Sequence, residues 1–123
     1  MKIKDIENIM KKYGEAWEKQ DSKLILECFT ENGVYQESPL NKPYRGHDEI
    51  KKFWDRAVVK NTRNIKFKLG KCYVSKDVGF CEWECKNEHR YGKEWRKDHM
   101  VGIMILKFSK GKIKFLNECW CNG

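Results

Sequence analysis

Apolar residues recur at three- and four-residue spacing from Ile3 to about Gln20, where Ile6, Ile9, Met10, Tyr13, Ala16 and Trp17 fall on one stripe. That period predicts an amphipathic helix. A shorter helix follows, capped by Asp21 or Ser22 and carrying Leu24, Ile25, Cys28 and Phe29, with Asn32-Gly33 closing it in a turn. Val34 to Glu37 reads as a short strand. Pro39 and Pro43 restrict their neighbours, so Ser38 to Gly46 reads as a loop. His47, Asp48 and Glu49 then occupy the first turn of a third helix, where carboxylates suit the helix dipole, and Ile50, Phe53, Trp54 and Ala57 form its buried side.

From Asn64 onward the period becomes that of strands, in runs at about 64–75, 79–90, 94–108 and 112–121. The connections Lys76-Asp77, Tyr91-Gly92-Lys93 and Lys110-Gly111 are short and turn-prone, so each strand folds back antiparallel on the last. Met100 to Leu106 is apolar on both faces, and both must be covered. The helices cover one, and a second copy of the chain in a homodimer is the economical cover for the other. The pattern therefore predicts one α+β domain over residues 1–123, with three N-terminal helices packed on a curved, mostly antiparallel sheet.

Composition narrows the classes. The chain is 40% hydrophobic and 13% aromatic, enough apolar area for a real core. No run approaches the roughly 20 apolar residues that cross a bilayer, and the N-terminus lacks a secretory apolar stretch, so no membrane association and a cytoplasmic location are expected. Six cysteines in such a compartment read as free thiols. Cys81 and Cys85 lie about 13 Å apart along a strand and cannot share an ion, while Cys119 and Cys121 are half a site, so no metal is expected. The formal charge of +8 comes from lysines scattered along the chain. With arginine scarce and no nucleic-acid motif present, it reads as a solvated surface rather than a nucleic-acid interface. Gly-rich phosphate loops, EF-hand patterns and nucleophile elbows are absent, and no cofactor is expected.

The order helix, helix, strand, loop, helix and four long strands resembles the nuclear-transport-factor-type superfamily, which includes SnoaL-like cyclases, ketosteroid isomerases and limonene-epoxide hydrolases. The resemblance spans nearly the whole chain. It is carried by Tyr13-x3-Trp17, Asp21, Phe29-Thr30-Glu31-Asn32-Gly33, the run from Pro39 through Pro43-Tyr44-Arg45-Gly46 to Ile50 and Phe53-Trp54, and Lys110-Gly111-Lys112-Ile113. It implies a cone-shaped fold, a cystatin-like α+β roll, whose concave sheet floors a ligand cavity closed by the helices. Independently, Trp17, Tyr35, Phe53, Trp54, Trp83 and Trp120 converge from several elements on one interior.

Tyr13 matches the oxyanion tyrosine of ketosteroid isomerases, but Ser38 stands where their base would be, with Glu37 beside it, and no acid lies between Met100 and Met104. Glu118 matches the acid that orients water in limonene-epoxide hydrolases. Their Arg-x-Asp falls on Glu82-Trp83-Glu84, which lacks the arginine. SnoaL-like cyclases ask only for an acid–base residue in an apolar cavity, and Asp98, His99 and Glu118 are the candidates. His99 could exchange protons near neutrality or be a surface histidine at a strand end. Glu118 could be a buried acid or a solvated glutamate paired with lysine. Alternation puts Glu82 and Glu84 on one face and Cys81, Trp83 and Cys85 on the other, with the inward face left open.

The reading that emerges is a pocket for a small hydrophobic molecule, with Glu118, His99 and Tyr13 as acid–base candidates and Trp17, Tyr35, Trp54 and Trp120 as ligand-binding walls. An isomerase, cyclase or hydratase is one outcome. A non-catalytic ligand-binding or protein-interaction domain of the same fold is the alternative.

Overall fold

The computed structural model describes residues 2–122. Helix α1 spans Ile3–Lys19 and buries Ile6, Met10, Tyr13 and Ala16, the stripe set by the sequence period. Gln20 ends it in a left-handed conformation, and Asp21 caps α2 (Ser22–Cys28) by accepting from the backbone N–H groups of Lys23 and Leu24. Strand β1 starts at once, over Phe29–Gln36. Asn32-Gly33 is therefore not a turn after the helix. The pair sits inside β1 at an irregularity in its register, where Phe29 and Val34 both find partners on the last strand. A Cβ at Gly33 would lie 3.0 Å from the Phe29 ring, so glycine allows the strand to fold tightly there.

The proline loop also carries structure that the proline reading did not anticipate. Tyr44–Arg45 forms a short strand β2, pairing antiparallel with Val34 and Tyr35. Helix α3 (Gly46–Trp54) follows and runs on into a π-helical turn over Asp55–Lys60. Four long strands complete the chain: β3 Thr62–Ser75, β4 Val78–Tyr91, β5 Glu94–Ser109 and β6 Lys112–Asn122. The six strands form one sheet in the order β2-β1-β6-β5-β4-β3, antiparallel throughout except for the parallel pair β1 and β6. The fold is thus α+β, three helices against a mostly antiparallel sheet.

Register decides the faces. Cys81, Met104 and Glu118 form one cross-strand row, Trp83, Gly102 and Trp120 the next, and Cys85, Met100 and Asn122 the one after. Cys81, Trp83, Cys85, Met104 and Glu118 are buried, so these rows face the helices. The opposite face carries Glu82, Glu84, His99, Val101 and Ile103, which answers the question of which way Trp83 points. Val101 is 52% and Ile103 48% exposed, so this outer face is uncovered in the single chain.

Candidate functional site

Three side chains from distant parts of the sequence meet at the centre of the concave face. Tyr13 comes from α1, Tyr35 from β1 and Glu118 from β6, and all are buried. The Tyr35 hydroxyl donates to Glu118 Oε1 at 2.8 Å, and the Tyr13 hydroxyl donates to the same oxygen. The two hydroxyls are 3.2 Å apart. Trp54 packs edge-on to both tyrosines, Phe67 packs edge-on to Tyr13, and Phe53 leans on Tyr35 at 5.3 Å between ring centres. One carboxyl group is thus enclosed by aromatic rings, with two phenols as its donors.

Burial sets the electrostatics. Removal from water pushes the Glu118 carboxyl up to about 7, although the Tyr13 and Tyr35 hydrogen bonds favour its ionised form and pull the other way; Glu37 adds a small push upward. The same burial, followed by the neighbouring Glu118 charge, raises both tyrosines well above their ordinary range. The phenols therefore stay protonated while the carboxyl gains or loses its proton near neutrality. The indole N–H groups of Trp17, Trp54 and Trp83 are buried without a hydrogen-bond partner. That of Trp17 lies near enough to the Tyr13 hydroxyl to favour its ionised form.

A cavity of about 210 Å³ opens above this cluster at the wide end of the cone, with Trp17, Phe53, Met100 and Trp120 among its walls. It stops short of Glu118, which is 3% exposed. Trp120 stands at the rim, its indole N–H donating to the Glu37 carbonyl at 2.9 Å. A wider cleft of about 650 Å³ between α1 and the β5–β6 turn, lined by Asp5, Lys12 and Lys110 among others, lies away from the carboxyl cluster.

Of the expected site residues, Tyr13, Trp17, Tyr35, Trp54 and Glu118 come together, and Trp120 frames the opening. His99 does not join them. Alternation along β5 turns it to the outer face, where its Nε2 lies 2.5 Å from Glu84 Oε2, and the neighbouring Asp98 faces the cavity instead. Asn87 was not anticipated. It pairs directly with Asp98 across β4 and β5, is 7% exposed, and lines the same cavity. Stepping by two from Trp83 through Cys85 would have found it, once the inward face was known. Among the described residues no three His, Cys, Asp or Glu side chains gather as a metal-ligand set.

Three helices on a mostly antiparallel six-stranded sheet, closed around the buried Glu118 carboxyl, place the chain among the cone-shaped α+β domains. The sequence matches the SnoaL-like domain family over residues 10–116, and the chain belongs to that family. No curated protein matches it. Among solved structures it is similar to the epoxide hydrolase/cyclase-like enzyme SalBIII, which is described in pyran ring formation in the polyether salinomycin (TM-score 0.81, 14% identity, covering 94% of this chain and 89% of that one). It is also similar to a candidate SnoaL-like polyketide cyclase from Shewanella putrefaciens CN-32 (TM-score 0.77, 12% identity, 93% and 88% covered). A third relative in structure is a hypothetical protein of ketosteroid isomerase-like fold from Catenulispora acidiphila DSM 44928, solved in complex with trimethylamine (TM-score 0.74, 15% identity, 90% and 83% covered). At these identities the likeness concerns the fold.

Proposed function

We propose that the protein is an acid–base enzyme of the isomerase, cyclase or hydratase kind, in which Glu118 exchanges a proton with a small hydrophobic substrate. The observation that carries this reading is the burial of the Glu118 carboxyl among aromatic rings with Tyr13 and Tyr35 as its donors, a setting that pushes its pKa up to about 7. Proton transfer is most effective when the group's pKa is near the working pH, because a useful fraction then exists in each form. Below about pH 7 Glu118 can donate a proton to a leaving or ring oxygen, and above it can remove one from carbon or water. The tyrosines hold the charge left behind after Glu118 has given up its proton. No cofactor is required for such a step.

The cavity ends above the carboxyl, so the walls at the mouth must shift as substrate enters. Two of the named neighbours are described in ring-forming terms, SalBIII in pyran ring formation and the Shewanella putrefaciens protein as a polyketide cyclase candidate, which agrees with an acid–base site in an apolar cavity. With a substrate found by thermal-shift screening, Glu118→Gln should lower kcat by roughly a hundredfold or more while KM changes little. Unchanged turnover in a folded Glu118→Gln protein would leave the alternative, a ligand-binding domain, as the better account; the closed floor of the cavity is the observation in its favour.

We also propose that the uncovered outer face, with Leu40 95% exposed beside Val101 and Ile103, closes a homodimer.

A further inference from the structure

The mouth of the cone differs in charge from the rest of the molecule. The chain carries 26 lysines and arginines against 18 acids, yet neither lysine nor arginine lines this cavity. Two carboxylates do, Glu37 and Asp98, and among the described residues neither forms an ion pair. Glu37 accepts from neutral donors, the Asn41 amide at 3.3 Å and the Tyr44 hydroxyl at 3.1 Å, and Asp98 from the Tyr91 hydroxyl at 3.3 Å. The nearby cations line other surfaces: Lys66, Lys86 and Lys97 share a neighbouring cleft with Asn87 and Asp98, and Arg96 packs over the Tyr91 ring. Lys42 shares an outer cleft with Glu37 without pairing to it, and Arg56 bonds the Tyr44 hydroxyl.

A second observation points into the same space. Asn87, buried apart from 7% of its surface, spends its amide N–H groups on sulfur, Cys85 Sγ at 3.4 Å and Met100 Sδ at 3.8 Å, both weak acceptors. Its carbonyl oxygen has no partner among the described residues. That amide oxygen, beside a carboxylate without an ion pair, is free to accept from an N–H donor in the cavity, and Trp17 and Trp120 supply aromatic walls of the kind that attract cations.

We propose that the cavity mouth binds a small organic cation, a protonated amine with apolar substituents. Its N–H points at Asp98 and the Asn87 carbonyl, Glu37 balances its charge, and its carbon substituents face Trp17, Met100 and Trp120. This names the ligand class for the site assigned above and takes from that reading only that the mouth leads to Glu118; binding does not depend on turnover.

The test uses three probes of one ring size: N,N-dimethylcyclohexylamine as the cation, cyclohexanol as the neutral form and cyclohexanecarboxylate as the anion, each titrated calorimetrically at pH 7.5. The amine should bind at least tenfold tighter than the alcohol, and the carboxylate should not bind detectably. Asp98→Asn and Glu37→Gln, checked for folding by circular dichroism, should each weaken the amine fivefold or more and leave the alcohol unchanged. Glu118→Gln should keep amine binding, so loss of turnover in that variant and loss of the amine site are separate results. Equal or tighter binding of the alcohol or carboxylate, or amine affinity indifferent to both mouth substitutions, overturns the proposal.

Discussion

At the scale of single residues, Glu118 ties stability to chemistry. Its carboxyl is raised from 4.5 to about 7 in the native state by burial. Across that window the native protein holds a proton that the unfolded chain has released, so this group's contribution to stability is complete below about pH 4.5, falls as pH rises, and is level again above about 7. At about 1.4 kcal/mol per pH unit, the whole shift corresponds to roughly 3 kcal/mol. Glu118→Gln cannot ionise, so its stability relative to the natural protein, measured by urea unfolding, should improve by an amount of that order between pH 4.5 and 8. A difference that does not change with pH would mean that Glu118 is not desolvated. Tyr13→Phe removes a donor to the ionised form and should raise the Glu118 pKa further, visible as a fall in stability that starts at the same pH but continues to higher pH in the same series.

At the scale of elements, the sheet's curvature depends on close approaches that side chains would block. Gly102 on β5 packs under β6, where a Cβ would lie 2.1 Å from the Cys119 carbonyl oxygen and 2.8 Å from the Trp120 Cβ. Gly102→Ala should therefore cost about 2 kcal/mol or more in chemical denaturation and disturb Trp120 at the rim; an unchanged midpoint would contradict this packing. The helices and long strands were legible because their periods are local: the Tyr13 and Trp17 stripe and the four strand runs fall where the sequence puts them. The early start of β1 at Phe29 and the short strand Tyr44–Arg45 were not, because each exists through pairing with a partner distant in sequence or across a loop. The same limit governs the site. Resemblance and element order brought out Tyr13, Tyr35 and Glu118, but whether Asp98 or His99 faces inward is a matter of one residue in register, which alternation alone leaves undetermined.

At the scale of the whole molecule, one face of the sheet packs against the helices and the other, uncovered in the single chain, is the face proposed for assembly. Sedimentation should show a dimer at micromolar concentration, and Ile103→Glu, on the exposed outer face, should give folded monomers; a natural protein that sediments as a monomer would remove that interface. Trp120 lines both the cavity mouth and the outer-face cleft, so the proposed pairing would border the mouth. The proposed chemistry requires one carboxyl group, Glu118, kept out of water and poised to exchange a proton. The most direct measurement is a carbon-13 NMR titration of the glutamate side-chain carboxyls, with Glu118 assigned by comparison with Glu118→Gln. A midpoint near 7 is predicted, and a midpoint near 4.5, the value of a solvated glutamate, would contradict it.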